Sequence, residues 1–363
     1  MFYLLKGLEI GALPWRLFGY VSFRTICAAA TAMLIVVFFG PLMVRILKSY
    51  RAMAVDRYKG IMPEEFINSK KNSTPSMGGI LIIAGIVLTS LLWSRLDNAV
   101  TIALISQTVM LGGLGFLDDY VKITSNPKGI SSRVKMAGQI LISIAILSFL
   151  FNQPELAEHL RDFFVPFRKI PIFSNAWISG IVAGIVIIGA SNAVNLTDGK
   201  DGLATGSCII CIFTYGALAY LCGHQVFASY LSIPNIPGVS EAVVFSGAVV
   251  GACAGFLWHN CYPASMFMGD TGSLALGGIV GLLAVLVRQE LLLIVAGGVF
   301  VMEAGSVILQ VASFKLTGKR IFLCSPIHHH FERKGWTETQ IVVRFWILSG
   351  VFALIALASL KIR

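Results

Sequence analysis

Ten long apolar runs divide this chain, and its strongly polar clusters fall in the gaps between them. The runs cover approximately residues 22–46, 77–94, 99–117, 136–151, 176–194, 203–222, 241–258, 267–287, 290–314 and 341–360. A helix needs about 20 apolar residues to cross the hydrocarbon core of a bilayer. The pattern therefore predicts an all-α, polytopic integral membrane protein with about ten transmembrane helices. No gap much exceeds 30 residues, so a single membrane domain over 1–363 is expected. Residues 1–21, with Trp15, Phe18 and Tyr20, are apolar and aromatic and read as an interfacial segment. The stretch 152–175, with Pro154, Pro166 and Pro171, reads as a loop carrying a short hairpin or helix.

Composition supports this reading. Hydrophobic residues make up 56% of the chain and charged ones only 13%, about half the charge of a soluble domain. The net charge of +10 suits anionic lipid or phosphate-bearing substrates. A nucleic-acid binder would set that charge on a polar surface, which this chain lacks, so no nucleic-acid partner is expected. Seventeen Lys and Arg residues fall in the gaps 45–75, 119–135, 195–202, 259–266 and 315–340, against ten in the opposite set. The positive-inside rule places the richer set in the cytoplasm, and an even number of spans then leaves both termini outside. The seven cysteines are odd in number and lie mostly in apolar runs, so a disulfide framework is not expected.

Four polar clusters share that predicted cytoplasmic side. Asp118-Asp119 ends the third run, with Lys122, Lys128, Arg133 and Lys135 close behind. Carboxylates beside cations suit a magnesium ion together with a phosphate oxygen. In Asn195-Leu-Thr-Asp198-Gly-Lys-Asp201-Gly, the two aspartates are three apart and the glycines allow close backbone approach to a ligand. Phe267-Met-Gly-Asp270-Thr-Gly-Ser273 opens the eighth run, with Asn260 just upstream; a glycine turn feeding a helix start suits an anion or metal. Pro326-Ile-His328-His329-His330-Phe-Glu332 lacks zinc-ligand spacing and reads as substrate-binding. Lys70, Lys71 and Thr74, before the second run, suit phosphate contact. Glu303 lies inside the ninth run, either in the site, paired with Arg344, or near an aqueous helix end.

Taken in order, Thr74-Pro-Ser-Met-Gly-Gly79, Asp118-Asp119-Tyr120, Asn195-Leu-Thr-Asp198-Gly, Phe267-Met-Gly-Asp270 and Pro326-Ile-His-His-His-Phe-Glu332 resemble the polyprenyl-phosphate N-acetylhexosamine-1-phosphate transferase superfamily. The triple histidine, with Gly335-Trp336 and Arg344-Phe345-Trp346, resembles its muramoyl-pentapeptide branch. The resemblance implies ten transmembrane helices, a cytoplasmic active site, a magnesium cofactor, periplasmic termini in the bacterial inner membrane, and often a homodimer. It implies transfer of a phospho-sugar from UDP-N-acetylmuramoyl-pentapeptide to undecaprenyl phosphate, giving UMP and lipid I for peptidoglycan. Carried over residue by residue, Asp118 and Asp119 match the aspartate pair, with Asp118 as base or nucleophile toward the lipid phosphate. Asp270 matches the magnesium-binding aspartate, and all three aspartates are expected at the metal. Asn195, Asp198, Asp201 and Asn260 match positions around the nucleotide-sugar. Lys70, Thr74, Lys122 and Lys135 match phosphate contacts, and His328, His329 and His330 match the branch signature. Lys200 departs from the pattern, standing where the family usually has leucine. The competing readings are a sibling transferase using UDP-N-acetylglucosamine and, from a different class, a secondary transporter.

Overall fold

The computed structural model describes residues 1–3, 15–50, 52, 74–166 and 168–362. A short 3-10 helix, Trp15–Gly19, leads into α1 (Val21–Ser49), α2 (Gly79–Trp93), α3 (Ala99–Thr124), α4 (Ser132–Phe151) and α5 (Pro154–Arg161). The strands β1 (Asp162–Phe163) and β2 (Phe173–Ser174) pair antiparallel, Asp162 opposite Ser174. Then come α6 (Ala176–Thr197), α7 (Leu203–Cys222), α8 (Gln225–Leu231), α9 (Glu241–Asn260), α10 (Gly269–Leu286), α11 (Leu293–Ala296), α12 (Gly298–Thr317), α13 (Ile327–Arg333) and α14 (Glu338–Ser359).

Nine of the ten predicted apolar runs each form one helix, while the ninth, 290–314, divides at Gly297 into α11 and α12. Among the described residues, nine helices are long and apolar enough to cross a membrane, and the chain is a multi-pass membrane protein. α2 is the exception, with 15 residues, about 22 Å of rise against a hydrocarbon core of about 30 Å. The loop at 152–175 contains both expected forms, helix α5 and the hairpin. The N-terminal segment is described only in part, as the 3-10 helix at Trp15–Gly19.

α10 sits at the centre, almost wholly buried. Leu276, Ile279 and Leu283 fill the core beside α3 and α6. A membrane interior gives helices no hydrophobic drive to associate, so they meet through small residues and interhelical hydrogen bonds. α3 meets α10 at Gly115, where a Cβ would stand 2.2 Å from the Asp270 carbonyl oxygen. Gln107 of α3 donates to the Gly278 carbonyl at 2.6 Å. α1 packs along α9, and Arg24 and Glu241, at the starts of these two helices, form a buried two-pronged ion pair of 2.7 and 2.8 Å. Arg24 also donates to the carbonyl of Trp93, the last residue of α2. This pins one end of the bundle. The other end holds the C-termini of α3, α6 and α9 and the N-termini of α4, α7 and α10, and there the polar clusters meet.

Candidate active site

α3 does not stop at the aspartate pair, as the apolar run suggested, but continues to Thr124. Lys122 therefore lies one turn beyond Asp118 on the same helix face, its Nζ 2.5 Å from Asp118, 3.4 Å from Asp119 and 3.0 Å from Asp270. Lys135, in the first turn of α4, contacts Asp270 closely and lies 3.6 Å from Asp118. The three carboxylates are buried and come within 4.8 Å of one another. Two ammonium groups offset most of their charge, which lets the helix run past its acidic pair.

Asp119 and Asp118 are held differently. Asp119 accepts from the Asp270 and Thr271 backbone N–H groups at 3.1 and 2.9 Å and from the Thr271 hydroxyl at 2.8 Å. It thus satisfies amides at the start of α10 that have no partner within that helix. Gly269 carries the chain into this start with φ +73, and a Cβ there would lie 2.6 Å from Asp119 Oδ2. Asp118 accepts from the Ile130 backbone N–H at 2.8 Å and faces a cavity of about 550 Å³. Lys122, Lys128, Lys135, Gln139, Asn192, Asn195 and Asp270 are among the residues that line it. Asn195 donates to the Ser273 hydroxyl at 2.8 Å.

The Thr74–Gly79 motif joins this assembly through its backbone. The Phe267 N–H donates to the Pro75 carbonyl, and the Gly78 and Gly79 N–H groups donate to the Phe267 and Met268 carbonyls. Thr74 is half-buried at the head of this ladder. Lys70 lies outside the described residues.

The second and fourth clusters form a neighbouring polar layer. Lys200 makes a close ion pair with Glu332, and Glu332 also pairs with His329 Nδ1 at 2.9 Å. His328 Nδ1 pairs with Glu303 at 2.9 Å, and its ring abuts Gly199. Glu303 thus meets a histidine of α13, while the Arg344 guanidinium stacks 4.0 Å over the Trp336 ring. His330 Nδ1 accepts from the Leu323 N–H at 3.1 Å. Burial, together with Lys200 and His328, pushes His329 down to about 4, against the pull of Glu332. Burial would raise Glu332, but His329 and Lys200 hold it down at about 2.

Asn260 is buried and clamps backbone: Oδ1 accepts from the Gly202 N–H and the Thr205 hydroxyl, each at 3.1 Å, and Nδ2 donates to the Met266 carbonyl at 3.0 Å. Asp201 accepts from the Ala264 N–H at 3.1 Å. Asp198 caps the end of α6, half-buried. Asp118, Asp270, Lys122, Lys135 and Asn195 therefore line the cavity, while Asp198, Asp201, Asn260 and the histidines are not among its lining residues. Gln139 and Asn192 are among the lining residues that escaped the sequence reading. The signal for them was helical spacing, since Gln139 lies four after Lys135 and Asn192 three before Asn195.

A multi-helix membrane protein with buried carboxylates and lysines around one cavity has the makings of a membrane transferase for phosphate-linked groups. The family model described as "Glycosyl transferase family 4" matches residues 101–288. Curated relatives named phospho-N-acetylmuramoyl-pentapeptide-transferase align over the whole of both chains: 46% identical from Pelobacter propionicus, 44% from Syntrophus aciditrophicus and 47% from Citrifermentans bemidjiense. The chain belongs to the phospho-N-acetylmuramoyl-pentapeptide-transferase family.

Proposed function

We infer that the protein transfers phospho-N-acetylmuramoyl-pentapeptide from its UDP conjugate to undecaprenyl phosphate, releasing UMP and forming lipid I for peptidoglycan. The observation that carries this reading is the cluster of Asp118, Asp119 and Asp270 with Lys122 and Lys135, of which all but Asp119 line one cavity. Phosphoryl transfer between two anions demands charge screening and in-line positioning more than covalent help from the protein. Lys122 and Lys135 can take phosphate oxygens from either substrate. An oxygen of the lipid phosphate attacks the sugar-linked phosphorus, and the bond to the UMP oxygen breaks. Asp118 orients the lipid phosphate and accepts its proton.

The donor set fits a hard divalent ion, since carboxylate oxygens and phosphates are what magnesium prefers. Asp118, Asp119 and Asp270, whose oxygens come within 4.8 Å of one another, are the residues that would hold it. When bound, magnesium screens the charge between the two phosphates. The excess of Lys and Arg on the site's side supports a cytoplasmic active site, periplasmic termini and residence in the bacterial inner membrane. A homodimer belongs to the same reading and is checked by cross-linking in native membranes.

The test uses purified protein in lipid nanodiscs with undecaprenyl phosphate and two radiolabelled donors. UMP release with UDP-N-acetylmuramoyl-pentapeptide, abolished by EDTA and restored by magnesium, is the expected result. Faster turnover of UDP-N-acetylglucosamine would move the chain to the sibling activity.

A further inference from the structure

The cavity has a polar floor one helical turn deeper than its charged rim. Gln139 follows Lys135 by one turn of α4, and Asn192 precedes Asn195 by one turn of α6. Three linked hydrogen bonds run through this floor. The Ser191 hydroxyl donates to the Leu274 carbonyl at 3.0 Å, Gln139 Nε2 donates to Ser191 Oγ at 3.2 Å, and Asn192 Nδ2 donates to Gln139 Oε1 at 2.9 Å. Their direction is not arbitrary. A backbone carbonyl only accepts, so Ser191 must spend its single hydrogen on Leu274 and can only accept from Gln139. The Gln139 amide is thereby oriented with its nitrogen toward Ser191 and its oxygen toward Asn192. Asn192 must in turn present its nitrogen to Gln139. Its second amide hydrogen goes to the Ile188 carbonyl at 2.9 Å.

Both hydrogens of the Asn192 amide are therefore consumed, and its carbonyl oxygen is left over at the cavity wall. Among the described residues no donor reaches that oxygen. Lysines at the rim suit phosphate, but an acceptor oxygen at the floor repels it. A hydrocarbon chain gains nothing from a row of amides. The floor is matched to a neutral O–H or N–H group. Resting on the reading above, we propose that Gln139 is a positioning residue that aims the Asn192 carbonyl at a hydroxyl or amide hydrogen of the donor's sugar.

Gln139→Met keeps the volume and removes both hydrogen bonds, which frees the Asn192 amide to turn. Gln139→Glu keeps an acceptor for Asn192 and, when protonated, a donor for Ser191. The expected outcome is a KM for the UDP-sugar raised about tenfold in Gln139→Met, with kcat and the KM for undecaprenyl phosphate near wild type. Gln139→Glu should stay within about threefold of wild type. Asn192→Asp, whose carboxylate repels the Gln139 oxygen, should reproduce the Gln139→Met change. Unfolding temperature is followed alongside. An unchanged donor KM in Gln139→Met, in an active wild-type background, overturns the proposal alone. So does a parallel fall in every kinetic constant together with unfolding temperature, which marks a packing role. A wild type that releases no UMP overturns this proposal and the parent reading together.

Discussion

Asp118 and Asp119 are adjacent in sequence and share the Lys122 ammonium, yet their other partners differ. Asp119 accepts two backbone amides and a hydroxyl at the start of α10. Asn at 119 would set an NH₂ group against at least one of those donors. Leaving a buried donor unmet costs about 1–3 kcal/mol. Asp119→Asn is therefore expected to lower the unfolding temperature by several degrees and to lose activity with it. Asp118 faces the cavity, so Asp118→Asn should unfold within a degree or two of wild type while UMP release falls at least about 100-fold. Wild-type turnover in Asp118→Asn would remove that side chain from the chemistry. His329 supplies a pH test. Burial holds it down to about 4 in the folded state, whereas the unfolded chain takes up that proton near 6.5. Between these values the unfolded state binds more protons, so stability is full above about pH 6.5 and falls as pH is lowered toward 4. The unfolding temperature should drop between pH 7 and pH 5, and His329→Gln should reduce the drop. The aspartates were legible in the sequence because charge beside an apolar run stands out. Gln139 and Asn192 were not, because a lone amide inside a long apolar run looks like an ordinary buried polar residue.

The helices themselves were legible, since a run of apolar residues can satisfy its backbone in lipid only by coiling. Their ends were less so. α3 outruns its apolar stretch by seven residues, from 117 to Thr124, because Lys122, one turn on, and Lys135, from the next helix, offset the acidic charge there. Asn260 and Asp201, read in the sequence as positions around the nucleotide-sugar, also tie α7, α9 and the turn into α10 together. A side chain that clamps backbone and one that binds substrate carry the same letters. Contact between α3 and α10 rests on Gly115, and Gly115→Ala would drive a methyl group into the Asp270 carbonyl. That helix must shift, and the carboxylates shift with it. A loss of both activity and thermal stability is expected. Gly113→Ala, two residues away with nothing within 4 Å of its Cβ, should change neither. Equal behaviour of the two variants in a melting assay would sink this account of the contact.

For the whole molecule, the proposed orientation sets which face reacts with reagents. Cys261, just past α9, is exposed at the end that carries the carboxylates. A membrane-impermeant maleimide should label it in inverted vesicles and leave it unlabelled in intact spheroplasts, with Cys261→Ser removing the signal. Labelling in spheroplasts would reverse the topology. The Lys and Arg tally could suggest that orientation because charge near a membrane is read locally. It could not show that α10 would be the central post, because centrality depends on every other helix. That position has a consequence for biogenesis. Asp119 waits 151 residues for the amide of Asp270. During synthesis the acidic pair leaves the ribosome long before its lysine-screened pocket can close. A nascent chain halted anywhere before α10 holds no working centre. Assembly of the catalytic end is thus a late checkpoint in manufacture, and truncated products should be inert targets for membrane proteases.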